Sequence, residues 1–242
     1  LILTVPKRFN SEFLVFECMR TSSGRDMMSE IEEFYRLLDS LKWGETVLLE
    51  HDSLTSPAQG LYYIIKWAMG RNYPVVVDDF LDTLYLYATH MKLAGFNPSI
   101  LNNVKIIKLG GKLKVGDIVT RLPVNEPEVY EKKYAEVTDS LFKQGKVINP
   151  VLGFERLLVL ANSNQEILME LNGVLEYVGN EKRIAFYIIN EEVIEKSNPY
   201  IEFLLREMAT TVIKMSKKES GIVLSILKSV NNEVDGKEMT FL

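Results

Sequence analysis

The chain alternates between continuous apolar stretches and stretches in which apolar residues recur every three or four positions. Apolar stretches of strand length lie at 46–50, 74–79, 104–109, 146–152 and 183–190. Helical spacing is present in MSEIEEFYRLLDSLKWGE (28–45) and at 58–70, 80–95, 126–144, 163–177 and 199–208. Continuous apolar strands that alternate with helices are typical of a parallel sheet covered on both faces. The pattern therefore predicts a three-layer α/β/α fold with a mainly parallel sheet.

The C-terminal part of the pattern predicts a β-hairpin. TTVIKM (210–215) and GIVLSILKS (221–229) are apolar and flank the polar SKKES. We expect this hairpin to extend the sheet in the antiparallel sense, and we expect residues 29–235 to form one domain. Ser29 and Glu32 have the spacing of a capping box for the first helix of that domain. GGKLKVGDIVTRLP (110–123) is predicted to be a solvated loop.

Residues 1–28 are predicted to form an N-terminal arm and linker. EFLVFECM (12–19) has the apolar density of a strand, and the following TSSGRD is polar and contains glycine, as flexible tethers do. A lone strand is not stable in water. We therefore expect Phe13, Val15 and Phe16 to form an interface with the chain's own domain or with a second copy. We therefore predict that the chain can form a homo-oligomer through residues 1–26.

Composition narrows the classes of function. A net charge of −5 over 242 residues argues against a general nucleic-acid or anionic-membrane surface, because both require a basic field. One cysteine and two histidines exclude a disulfide within the chain, a cysteine zinc site and a multi-histidine metal site. No apolar run has the roughly 20 residues that a membrane span needs. We expect a cytoplasmic protein that uses no metal or other cofactor.

The order of elements carries a specific resemblance. GETVLLEHDSLTSPAQGLYYIIKWA places a strand, a short polar turn and an amphipathic helix in succession. PVVVDDFLDT then ends a strand in carboxylates, the next helix ends in Gly95-Phe96, and EFLLREMATTVIKMSKKESGIVLSILKS closes with a helix and a hairpin. Over residues 29–230 the chain resembles RecA/KaiC-type ATPases, and within them a small archaeal, hyperthermophile-centred family of unknown function. The resemblance implies a RecA-like fold.

The residues that hold phosphate in such ATPases are absent. Their phosphate loop has the form G-x-x-x-x-G-K-[ST], in which backbone N–H groups and the lysine bind phosphate and the hydroxyl binds magnesium. The matching positions hold His51, Ser56, Pro57 and Ala58, and Asp52 adds a negative charge. Losing the lysine and two or three N–H contacts removes about 5 kcal/mol, which turns a micromolar site into a millimolar one.

The resemblance also shows which carboxylates are missing. Gly153 stands about where the magnesium-binding aspartate belongs. In FLDT (80–83), Leu81 replaces one of the two catalytic glutamates, and Asp82 keeps the other carboxylate on a shorter side chain. We therefore expect no ATPase activity.

A vacated cleft is predicted at the carboxyl ends of the strands, where ligands of open α/β sheets bind. The candidate residues share this position: Glu50, His51, Asp52, Ser53, Thr55, Ser56, Asp78, Asp79, Asp82 and Asn190. Such a cleft would be acidic and polar, and it would suit a cation, an amine or a basic peptide. Simpler alternatives remain open: an exposed His51 on a turn, turn-forming hydroxyls, and aspartates that are solvated at strand ends or cap a helix.

Two classes of function follow from these patterns. The favoured one is a non-catalytic RecA-like module that binds a protein or peptide or assembles with itself. The alternative is a nucleotide-binding sensor or weak ATPase with a rebuilt phosphate loop. Binding of single-stranded nucleic acid rests on fold analogy alone and is disfavoured by the acidic charge.

Overall fold

The computed structural model of the chain describes residues 22–124, 127–143, 145–219 and 221–241. The strand predicted for the N-terminal arm, with Phe13, Val15 and Phe16, lies outside these residues. The arm and its interface therefore stay a prediction.

The described elements alternate along the chain as the apolar pattern predicts. Strands run over Thr46–His51 (β1), Val76–Phe80 (β2), Lys105–Leu109 (β3), Asp117–Leu122 (β4), Val147–Leu152 (β5), Arg183–Asn190 (β6), Thr211–Lys218 (β7), Gly221–Ser229 (β8) and Glu238–Phe241 (β9). Helices run over Ser22–Ser40 (α1), Ala58–Gly70 (α2), Thr83–Leu93 (α3), Pro127–Phe142 (α4), Phe154–Leu160 (α5), Asn164–Glu176 (α6), Glu191–Ser197 (α7) and Pro199–Met208 (α8). A 3₁₀ helix at Pro98–Asn103 joins α3 to β3.

The described strands form one sheet in the order β4-β3-β2-β5-β6-β1-β7-β8-β9. Neighbouring strands are parallel from β4 to β7, and β7, β8 and β9 pair antiparallel. The prediction of a mainly parallel sheet with a C-terminal antiparallel hairpin is confirmed. The strand β9 extends the antiparallel end beyond that hairpin.

Each face of the sheet has its own apolar core, because alternate residues of a strand point to opposite faces. On the first face, α1, α2 and α3 cover Val47, Leu49 and Val77. On the second face, α4 to α8 cover Leu48 and Val76. Every residue of β1, β2 and β5 is buried, which explains why these strands show no polar alternation in the sequence.

Four local predictions are wrong. The helix α1 begins at Ser22, so the segment predicted as a flexible tether is helical from that residue onward. Ser29 therefore lies inside α1 and does not cap it; the helical spacing of Ile31 and Phe34 already continues back to Met27. The segment predicted as a loop at 110–123 contains β4, an edge strand in which exposed residues alternate with half-buried or buried ones, so it lacks the apolar run that marks the inner strands. The helix predicted from residue 80 begins at Thr83, because Leu81 and Asp82 have left-handed backbone angles.

Candidate functional site

The carboxyl ends of the inner strands meet at one edge of the sheet. His51 at the end of β1 pairs with Asn190 at the end of β6, and Asp79 near the end of β2 pairs with Leu152 at the end of β5. The loop between β1 and α2, residues 52–57, lies at this edge and has the position of a phosphate loop. This loop, called the β1–α2 loop below, is therefore a candidate binding site.

The carboxylate of Asp52 takes the place of an anion inside the β1–α2 loop. Its Oδ1 accepts hydrogen bonds from the backbone N–H of Leu54 at 2.9 Å and of Thr55 at 2.7 Å. Partial burial works against the charged form, but the hydrogen bonds from Thr55 and Leu54 hold the pKa of Asp52 below its usual value. Asp52 is therefore ionised, and it satisfies donors that would otherwise face a phosphate.

The rest of the loop is closed by side chains from neighbouring elements. The N–H of Ser53 donates to Oε2 of Glu192 at 3.2 Å, and its hydroxyl accepts from Nδ2 of Asn190 at 3.0 Å. The Ser56 hydroxyl lies 3.0 Å from Nδ1 of His90. Pro57, which precedes α2, has no N–H to offer. Three consecutive N–H groups, those of residues 53–55, thus donate to carboxylates of the protein itself.

His51 is buried, so the expectation that it lies exposed on a turn is wrong. The strand β1 continues through residue 51, where His51 pairs with Asn190 on one side and with Met215 of β7 on the other. Its Nδ1 lies 2.7 Å from the carbonyl oxygen of Asp52, which can only accept, so this nitrogen carries the proton. Burial lowers the pKa of His51, and the neutral ring accepts at Nε2 from the Tyr87 hydroxyl at 3.5 Å.

The three aspartates at the end of β2, two within the strand and one after it, lie in two environments. Asp78 and Asp79 are each 1% exposed, so the expectation of strand-end solvation is wrong for both. Asp79 faces α3, and its Oδ1 accepts from the backbone N–H of Leu84 at 2.8 Å; helix capping was therefore the right expectation for this residue. Asp78 faces the opposite side of the sheet, as the alternation of a strand requires.

Lys108 of β3 neutralises the carboxylates on the first face. Its Nζ lies 2.6 Å from Asp79 Oδ2 and 2.6 Å from Asp82 Oδ1. Burial opposes the charge of Asp82, but hydrogen bonds from Lys108 and from the N–H groups of Lys112 and Leu113 lower its pKa. A buried ammonium group thus lies where the sequence had suggested room for a cation.

The expected position of a metal-binding aspartate admits only glycine. Gly153, between β5 and α5, has a φ of 78°, which favours glycine. A Cβ added there would collide with Oγ1 of Thr83 and with the carbonyl oxygen of Phe80 at 2.8 Å. An aspartate at this position would require the β2–α3 turn to move.

Glu50 belongs to a separate charge cluster on the second face. Arg206 of α8 binds it with two hydrogen bonds, at 2.8 Å and 2.7 Å, and also contacts Glu202 at 2.7 Å. Lys214 of β7 contacts Glu191 at 2.8 Å. The carboxylates of this cluster and of the first face are thus paired with cations of the protein itself. The open acidic cleft expected at the strand ends stays a prediction.

Sequence reasoning missed two kinds of residue. Lys108 and Lys214 lie far along the chain from their carboxylates, as Arg206 does from Glu50, and no spacing rule connects these pairs. Only the contact between Arg206 and Glu202 has the i,i+4 spacing of a helix. Glu155 in the first turn of α5 is 3% exposed, its Oε2 has no hydrogen-bond partner among the described residues, and burial raises its pKa to about 7. The only signal for Glu155 in the sequence is a carboxylate inside the apolar GFERLLVL.

The sheet order, the helices on both faces and the β1–α2 loop define the class of protein: an α/β protein with the RecA-like fold, whose phosphate loop is filled by its own side chains. The chain belongs to the family described as "Pyrococcus protein of unknown function, DUF257", whose model matches residues 36–240. No curated protein matches the chain. Among the described residues, no helix is long and apolar enough to cross a membrane.

Solved structures agree with this assignment. The chain is 39% identical to the protein PH0250 from Pyrococcus horikoshii OT3, with a TM-score of 0.76 over 88% of this chain and 98% of that one. A KaiC-like protein from the same organism, PH0186, is 14% identical with a TM-score of 0.53, covering 81% and 83%. The uncharacterized protein PH0321, crystallised in complex with an unknown peptide, is 15% identical with a TM-score of 0.57, covering 83% and 90%. At such low identity the last two show the fold alone.

Proposed function

We propose that this protein is a non-catalytic RecA-like module that acts by binding another protein or a peptide. The observation that carries the proposal is the position of the Asp52 carboxylate, which accepts the N–H groups of Leu54 and Thr55 inside the β1–α2 loop. In a working phosphate loop such N–H groups bind the phosphate. Here the loop is complete without a ligand.

Electrostatics support the same conclusion. A phosphate entering the loop would displace the hydrogen bonds to Asp52 and would meet the negative charges of Asp52 and Glu192. At about 4 Å, each pair of like charges costs roughly 1 kcal/mol in water and roughly 4 kcal/mol near a protein surface. The buried Lys108 cannot compensate, because Asp79 and Asp82 already hold it.

A candidate partner surface lies on the helices of the second face. Tyr200 and Phe203 on α8 are 75% and 62% exposed. Other exposed apolar side chains lie on α8 and on α6, which packs against it: Leu204, Leu168 and Leu175. Exposed apolar groups of this size on packed helices are typical of protein-binding surfaces. The peptide bound by PH0321 gives a precedent for a peptide ligand on a protein of this fold.

The proposal is tested by using the full chain as bait in a Pyrococcus lysate, with two matched variants. Tyr200→Ser/Phe203→Ser removes the two most exposed aromatic groups of the surface. Leu93→Ser removes a leucine that is 81% exposed at the end of α3, on the first face. We expect wild type and Leu93→Ser to enrich the same protein, and the double variant to enrich it at least tenfold less. Equal enrichment by all three baits, or no enrichment by any, contradicts the proposal.

A further inference from the structure

A cavity of about 240 Å³ lies on the second face of the sheet, between α4 and α6 on one side and β2, β5 and β6 on the other. Its floor is buried and includes Asp78, Phe154 and Tyr187. Ala135 and Asn172 at its mouth are exposed, so solvent can enter between the two helices. The β1–α2 loop contributes no residue to this cavity, and the proposed function does not depend on it.

Asp78 lines this cavity and has one unsatisfied carboxylate oxygen. Its Oδ2 accepts from the Tyr134 hydroxyl at 2.8 Å and from Nδ2 of Asn149 at 3.1 Å. Its Oδ1 is buried and has no hydrogen-bond partner in the part of the chain that the structure describes. An unsatisfied buried carboxylate oxygen is costly, because the group has lost its water without gaining a donor. The missing donor is the first sign of a ligand.

The wall of the cavity is acidic. Besides Asp78, it contains Glu131, Glu170 and Glu176, and none of its described residues is lysine, arginine or histidine. Tyr130 donates a hydrogen bond to Glu170 and so positions a second carboxylate. The buried Arg183 is not among the lining residues, but its charge acts on Asp78 and its guanidinium lies 4.7 Å from the centroid of the Tyr177 ring. It therefore offsets part of the negative charge of this wall. A cationic ligand would find a favourable potential here, and an anion would not.

Six of the described residues that line the cavity are aromatic. Tyr134 and Tyr177 lie edge to face with 5.9 Å between their centroids, and Phe154 contacts Phe80 and Tyr187 at 5.7 Å and 5.6 Å in the same arrangement. The faces of aromatic rings carry negative potential and attract organic cations. Rings and carboxylates together match an ammonium group attached to an apolar body.

We propose that this cavity binds a small organic amine, whose ammonium group donates a hydrogen bond to Oδ1 of Asp78 while its apolar body packs against Phe154 and the tyrosines. The volume of 240 Å³ sets the size of the ligand. Since a water molecule occupies about 30 Å³, the cavity has room for roughly eight to ten non-hydrogen atoms. The site therefore takes a monoamine with a single ring or a short chain, and not a nucleotide.

Three probes of nearly equal shape test the proposal by titration calorimetry of the full chain at pH 8. Phenethylamine carries the ammonium group, 2-phenylethanol is its neutral counterpart, and 3-phenylpropionate carries the opposite charge. We expect phenethylamine to bind at least tenfold more tightly than 2-phenylethanol, because a charge-assisted hydrogen bond is lost in the alcohol. We expect no detectable heat from 3-phenylpropionate.

Two variants locate the binding in the cavity. Asp78→Asn keeps the size of the side chain and removes its charge, so phenethylamine should bind at least tenfold more weakly. Gly173→Leu is the second variant: Gly173 lines the cavity from α6, and a Cβ added there meets no atom within 4 Å, so the variant should fold and fill part of the cavity. Gly70→Leu on α2 is its control, because Gly70 is also helical and equally unobstructed but lies outside the cavity.

The results that support the proposal differ from those that overturn it. Binding that is lost in Gly173→Leu and kept in Gly70→Leu supports the proposal even if Asp78→Asn does not fold. The proposal is overturned if phenethylamine does not bind the wild-type chain, if it binds no better than 2-phenylethanol, or if Gly173→Leu binds it as well as Gly70→Leu does.

Discussion

Single residues occupy the positions at which the resemblance to RecA/KaiC-type ATPases places phosphate and metal ligands. Asp52 fills the anion position of the β1–α2 loop, and Gly153 cannot be replaced by the aspartate that a metal site needs. Both changes are local, and neither disturbs the strands that lead to them. The RecA-like fold is therefore compatible with both residues.

Glu155 makes stability depend on pH. Its pKa is raised by burial from 4.5 to about 7, so the folded state binds more protons than the unfolded state between these values. Its stabilising contribution is present below the lower pKa and is lost as pH rises through the higher one. We expect Glu155→Gln, relative to wild type, to gain on the order of 2 kcal/mol in unfolding free energy between pH 5 and pH 8.

Guanidinium denaturation at the two pH values measures this gain. Glu195→Gln is the matched control. Glu195 is exposed near the C-terminal end of the short helix α7, whereas Glu155 is buried in the first turn of the short helix α5. The control should show the same difference from wild type at both pH values. If Glu155→Gln behaves as this control does, burial of the Glu155 charge does not affect stability.

At the scale of elements, the turn between β2 and α3 is held in a strained conformation. Leu81 and Asp82 have φ angles of 52° and 65°, which are uncommon for residues with a side chain. The loop after β3 allows this conformation, because Gly111 leaves room for the Asp82 carboxylate and the N–H groups of Lys112 and Leu113 bind it. Two loops from neighbouring strands thus support each other.

Gly111→Ala tests this arrangement. Gly111 has a φ of 70°, and a Cβ added there would lie 2.5 Å from Oδ1 of Asp82, so we expect a loss of about 1–3 kcal/mol in unfolding free energy. Gly70→Ala, on an unobstructed helical glycine, should be neutral or stabilising by up to about 1 kcal/mol. Chemical denaturation of both variants measures the difference, and equal stabilities would argue against mutual support of the two loops.

The helices and strands were predictable because buried elements have characteristic patterns of apolar residues in the sequence. Strands such as β1 and β6 are buried along nearly their whole length and appear as apolar runs, whereas the edge strand β4 has exposed positions and was predicted as a loop. The site was less predictable, because its charges pair across the sheet: Arg206 lies 156 positions after Glu50. That Asp78 and Asp79 lie on opposite faces of the sheet could have been predicted from the sequence, because adjacent residues of a strand point to opposite faces.

At the scale of the whole molecule, the fold presents three regions with different roles. The β1–α2 loop is closed by side chains of the protein, α6 and α8 expose apolar groups that we propose to bind a partner, and the cavity lined by Asp78 is acidic and aromatic. The N-terminal arm, through residues 1–26, adds a proposed route to self-assembly. In this account the protein keeps the RecA-like framework as a binding scaffold.

The central claim is that this framework no longer takes nucleotide phosphate. Titration calorimetry of the full chain with ATP and Mg²⁺ tests it most directly. Without the lysine, and with the N–H groups of residues 53–55 bound to carboxylates, we predict no saturable binding below about 1 mM. A stoichiometric complex with a micromolar Kd would contradict the account.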